Sequence, residues 1–171
     1  MSEFRDHKLS ADDNERISRF QKSLPNEPVN VVGLAKDFGL KVFRTEFSKF
    51  SISGAIFKKD GGYVIYANES DPLPRQRFTY AHELAHYLLH REHIGDGMHE
   101  NALFRSNLSN DKEVEANKLA ADILMPMGVL NELAETRKYD VSDLSKIFGV
   151  SRSALLTRLG IPEWHLLNES A

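Results

Sequence analysis

The sequence predicts an α+β fold, a small three-stranded sheet packed with helices. Three observations predict it. Residues 41–68 hold three β-rich runs with an Asp-Gly pair between the second and third. Residues 74–91 and 111–125 carry apolar residues at helical spacing, and from residue 127 onward the pattern is helical throughout.

Taken in order, ADDNERISRFQKSL (11–24) sets Ile17, Phe20 and Leu24 at helical spacing and stops before Pro25. EPVNVVGLAKDFGL runs from Pro28 to a stop at Gly39 and suits a short helix. The strands are KVFRTEF (41–47), SISGAIF (51–57) and GYVIYAN (62–68), the last two forming a hairpin. DPLPRQ breaks the sheet and introduces the helix of 74–91. Residues 92–110 hold two glycines and three asparagines without a sustained period, which reads as a long loop. DKEVEANKLAADILM then forms a second strong helix up to Pro126, followed by MGVLNELAETRK and by VSDLSKIFGVSRSALLTRLGI, two short helices joined at Gly149-Val150. The organisation is an N-terminal helical extension (1–27), a central unit (28–126) and a helical C-terminal unit (127–171).

Composition limits the function. The 171 residues are 41% hydrophobic and 27% charged, ordinary for a soluble globular chain. A formal net charge of −3 argues against a surface built to neutralise phosphates. With no cysteine, any metal must be held by His, Asp or Glu. No apolar run approaches the roughly 20 residues that span a bilayer, and the first residues lack an apolar signal core, so the cytoplasm is the expected location.

The chemistry concentrates in TYAHELAHYLLHR, residues 79–91. At about 100° per residue, Phe78, Ala81, Ala85, Leu88 and Leu89 form a core stripe, and His82 and His86 lie within about 40° of each other on its edge, one turn apart. They can point at a common atom. Histidines at i and i+4 with Glu83 at i+1 form the HExxH zinc motif, in which the glutamate is the general base. Five letters alone leave metal binding at even odds against two satisfied polar residues, so a third ligand is needed.

His90 does not supply it: in an unbroken helix it lies about 12 Å along the axis from His82, beyond the reach of a shared zinc. The second helix does. Ala116, Asn117, Ala120 and Leu124 lie within about 60° of Glu113, while Glu115, Lys118 and Asp122 cluster on the opposite face. Glu113 therefore faces inward and Glu115 outward. Alanines 116, 120 and 121 allow a second helix to approach closely, and Asn117 is placed to accept a hydrogen bond from a ligand histidine. A capping box between Asn110 and Glu113 is the competing account of that glutamate.

Two histidines, one glutamate and a water make an open hydrolytic zinc site, in which Glu83 takes the water's proton and later hands it to the leaving amine. Tyr80, Tyr87, His93, His99 and Arg105 are candidate oxyanion donors.

RFTYAHELAHYLLH (77–90), EVEANKLAADILMP (113–126), SGAIF and YVIYAN ahead of them and VSDLSKIFGVSRSALLTRLGI behind resemble the ImmA/IrrE family of metallo-endopeptidases, gluzincin-like zinc proteases, over roughly residues 28–161. The resemblance implies a zincin-like core with zinc ligands His82, His86 and Glu113, a catalytic Glu83, and helix-turn-helix repressors of stress-response or mobile-element genes as substrates. One departure is Lys118-Leu119, where the family commonly has phenylalanine before the alanine; Leu119 still offers an apolar contact. The larger sensing domain of some members finds no room in this length. Gluzincin-like proteases lay an extended peptide along an edge strand, which here points to Ser53, Gly54 and Ala55, with Gly54 allowing close approach.

A rival reading is DNA binding by the C-terminal unit. Leu144, Phe148, Val150, Leu155 and Leu159 pack inward and Ser151 caps the second helix, as in a helix-turn-helix. From residue 126 onward Arg137, Lys138, Lys146, Arg152 and Arg158 stand against Glu132, Glu135, Asp140, Asp143, Glu163 and Glu169, which is no basic footprint.

Overall fold

The computed structural model describes residues 9–47, 52–96, 110–136 and 138–162. Among them are seven α-helices and one three-stranded sheet, an α+β architecture. Helix α1 (Ala11–Gln21) starts at Ser10, whose hydroxyl accepts from the Asp13 amide while the Asp13 carboxylate accepts from Ser10, a complete capping box. Helix α2 (Val31–Asp37) starts three residues after Pro28 because Asn30 is the cap, its Oδ1 accepting from Gly33 N at 2.9 Å.

Strands β1 (Lys41–Thr45), β2 (Gly54–Lys59) and β3 (Gly62–Asn68) are ordered β1-β3-β2. The β2–β3 hairpin turns on Asp60 (φ 51°) and Gly61 (φ 74°), the paired positive φ that matches strand twist in a two-residue turn. β1 runs parallel to β3, with Lys41 opposite Val64, so β1 and β2 are the two edges. Ile56, Ile65 and Ala67 join the main core. Phe43, Tyr66 and Phe57 stack across the three strands, with ring centroids 5.4 and 5.5 Å apart.

Helix α3 (Leu73–His90) packs against the sheet and along α4 (Asn110–Leu124). Ala81, Ala85, Ala116 and Ala120 are all fully buried, and these small side chains let the two helices come close. A short 3-10 turn, Arg91–His93, ends α3, and Lys58 N donates to Gly95 O just beyond it.

The C-terminal helices are α5 (Met127–Glu135), α6 (Val141–Phe148) and α7 (Arg152–Leu159). Asp140 and Ser151 cap α6 and α7 through Asp143 N and Ala154 N, and Gly149 and Gly160 end them in the left-handed conformation. Leu130, Leu144, Phe148, Val150 and Leu155 belong to the same hydrophobic cluster as Ile17, Val29 and Ile65, so one core runs through all three segments of the chain.

Two arginines fasten this last unit to the helices that carry the histidines and Glu113. Arg77 of α3, its pKa lowered by burial, donates to Gly149 O at 2.9 Å and Val29 O at 2.9 Å, closing the carbonyl end of α6. Arg158 of α7 reaches across to Asp122 of α4 and donates to Met125 O at 3.2 Å. Asp122 lies on the helix face turned away from Glu113, yet it is buried, with Arg158 at its carboxylate and Gln21 of α1 at its backbone oxygen. The Arg158→Met variant removes the guanidinium from a buried carboxylate, and we expect a loss of about 3–5 kcal/mol of stability, read as a shift of the urea midpoint.

Candidate active site

His82 and His86 sit one turn apart on α3, and Glu113 enters from the first turn of α4. His82 Nε2 lies 3.0 Å from His86 Nε2, and Glu113 Oε2 and Oε1 lie 3.3 Å from His82 Nε2 and 3.2 Å from His86 Nε2. The two nitrogens and the two carboxylate oxygens lie close enough together to converge on one ion. A tetrahedral zinc with Zn–N bonds of about 2.0–2.1 Å requires ligand atoms about 3.3 Å apart, so the donor set fits that ion in both spacing and chemistry. Among the described residues, His82, His86 and Glu113 are the one group able to hold a metal.

Asn117 Oδ1 lies 3.0 Å from His82 Nδ1. An amide oxygen only accepts, so Nδ1 carries the proton and the Nε2 lone pair is left facing the other two ligands. Asn117 thereby fixes both the tautomer and the ring angle. Phe78 stacks on the other side of the ring, with centroids 6.5 Å apart.

Glu83 is 1% exposed and lines a cleft of about 940 Å³ together with His82 and Asn117. Its Oε1 would lie 3.6 Å from a Cβ built on Gly54. That same Cβ would stand 2.2 Å from Thr79 Cγ2, which explains the glycine: α3 presses Thr79 onto β2, and this closeness brings the carboxylate to the strand. Ser53, Gly54 and Ala55 border the cleft, and Arg75 Nε donates to Ser53 Oγ at 3.0 Å.

The remaining candidates fall elsewhere. Tyr80 points to the β1 side, its hydroxyl 3.5 Å from Phe43 O, and burial raises its pKa while Arg44 opposes the rise. Tyr87 packs edge-on against Tyr63 under the Arg91 guanidinium. His93 lies 3.5 Å from Glu92. None of these three lines the cleft, and His99 and Arg105 lie outside the described residues. His90 is 5% exposed, with its Nε2 3.5 Å from Glu115. Burial pushes its pKa down, against the pull of Glu115 and a backbone hydrogen bond at Lys112. Glu115, itself exposed, serves His90 and not the triangle.

The opposite wall of the cleft could not be read from the sequence. It consists of Val150, Ser151, Ser153 and Ala154, the turn and first residues of α7. No local pattern announces this, because Arg77 and Arg158 bring the unit there through contacts distant in sequence. Arg158, counted from sequence among the cations available to DNA, is spent inside the molecule.

No curated protein matches the chain. A solved structure, a Mycobacterium tuberculosis transcriptional regulator, shares the fold with a TM-score of 0.60 at 20% identity. The match covers 94% of this chain and 50% of that one, so this chain spans about half its length. The Peptidase_M78 family, described as the IrrE N-terminal-like domain, matches residues 35–160, a stretch holding both histidines, Glu83, Glu113 and the C-terminal cleft wall, and the chain belongs to that family.

Proposed function

We propose that the protein is a zinc-dependent endopeptidase that acts in the cytoplasm on a helix-turn-helix transcriptional repressor and so releases stress-response or mobile-element genes. The observation that carries the peptidase reading is the triangle of His82, His86 and Glu113 with Glu83 beside it in an open cleft. The repressor as substrate class is what the ImmA/IrrE resemblance implies.

The ion, when bound, supplies Lewis acidity and an acidified water. The chain's own residues do the rest. Asn117 holds His82 in the Nε2-facing tautomer. Glu83, one residue past His82 on the helix, receives the water's proton and delivers it to the departing amine. The substrate backbone runs beside Ser53, Gly54 and Ala55, which places its carbonyl over Glu83.

The test is incubation of the zinc-loaded protein with purified helix-turn-helix repressors encoded near its gene. Discrete fragments from a single cut in one of them, abolished by chelator and restored by zinc, are the expected result. Intact repressors throughout would overturn this substrate assignment.

A further inference from the structure

Helix α7 occupies the position of the second helix in a helix-turn-helix, whose first residues read base edges when such a unit binds DNA. Here those first residues face the peptidase cleft. Ser151, Ser153 and Ala154 line it with Val150, across from Thr79 and Glu83. Its cation Arg158 is committed to Asp122, and Lys146 of α6 lies 4.0 Å from Asp143. The unit is thus turned inward, and the question is what its inward end recognises.

The lining answers by its chemistry. Among the described residues, the cleft lining holds two formally charged side chains, Glu83 and Arg75, and Arg75 hydrogen-bonds Ser53 and lies 3.5 Å from Asp71. Ile52, Pro74, Phe78, Val150 and Ala154 give the lining its apolar part, with the uncharged Ser151 and Ser153 beside them. An acidic side chain entering here would meet Arg75, already paired with Asp71, and a basic one Glu83, so either would leave water for little compensation, whereas an apolar one would lose only water. Phe78 also stacks on the His82 ring with centroids 6.5 Å apart, a spacing of about two residues of extended peptide.

We propose that Phe78, Val150 and Ala154, with Ile52 and Pro74, form a specificity subsite that takes a bulky apolar side chain of the peptide substrate within two residues of the cut bond. The proposal rests on the endopeptidase reading and adds the side chain that is selected and the C-terminal unit that selects it. Ala154 is the position to alter. It is half-buried at the third residue of α7, at the margin between the core and the cleft, where a glutamate would complete a capping box with Ser151.

The test is binding, measured by fluorescence anisotropy, of labelled alanine decapeptides with one central residue varied among Ala, Leu, Phe, Asp and Lys. The zinc-loaded Glu83→Gln protein is used so that no peptide is consumed. Peptide register is free, so the varied residue can find the pocket. We expect the Leu and Phe peptides to bind about 10–100-fold tighter than the Ala and Asp peptides. The added Ala154→Phe or Ala154→Glu substitution reduces that preference to less than about threefold, with zinc content unchanged.

Equal affinities across the series, no binding of any peptide, or a preference that survives both substitutions would each overturn the subsite. Salt-sensitive binding of a duplex DNA probe lost in Ala154→Glu would overturn it too, in favour of DNA. Wild-type protein that prefers the Leu peptide yet cuts none of the series upholds the subsite and counts against the endopeptidase reading, so the two failures are distinguishable.

Discussion

Protein purified without chelator will contain one zinc per chain; Glu115→Ala will keep it, Asn117→Ala will bind it about 10–100-fold more weakly, and Glu113→Ala will lose it. The ordering follows from position on one helix. Glu113 places one carboxylate oxygen 3.3 Å from His82 Nε2 and the other 3.2 Å from His86 Nε2, and no fourth His, Asp or Glu joins this group among the described residues. Asn117, one turn on, touches only the far nitrogen of His82. Glu115 lies over His90 and contributes nothing to the triangle. Metal analysis of the four proteins side by side reads all of this, and equal zinc in every variant would contradict the assignment.

On the endopeptidase proposal, the Glu83→Gln variant will retain its zinc and lose peptide-bond cleavage by about 10²–10⁴-fold, the usual contribution of a positioned general base. Glutamine keeps the shape of a side chain that is 1% exposed and packed beside Gly54, so folding should survive. It cannot accept the water's proton. Single-turnover rates on a cleavable peptide, with zinc content measured on the same samples, separate the two effects. A variant that loses zinc along with activity would make Glu83 a structural support of the ion instead of the base.

Much of the site was legible in the sequence because helical geometry is local. The 100° step set His82 and His86 on one edge, turned Glu113 inward and Glu115 outward, and excluded His90; the structure places all of them accordingly. The hairpin was legible for a similar reason, since Asp60 and Gly61 both adopt the positive φ their turn demands. The Ser151 cap of α7 was equally local.

What escaped depended on contacts between distant segments. Asp122 belongs by angle to an outward face and is buried because segments distant in sequence reach it, Arg158 at its carboxylate and Gln21 of α1 at its backbone oxygen. Gly54 suggested room for a peptide, while its missing Cβ is needed first by Thr79 of α3. The inward-turned end of α7 has the same origin: the capping signals that define a helix-turn-helix say where its helices begin, and the buried arginines decide what they face.

The most direct measurement of the central claim is a crystal structure of the zinc-loaded protein with anomalous data at the zinc edge. The account predicts a single peak at the centre of the His82–His86–Glu113 triangle, about 2.0–2.1 Å from each Nε2, with a water as the fourth ligand beside Glu83. A peak at His90 and Glu115, or none on α3, would contradict it.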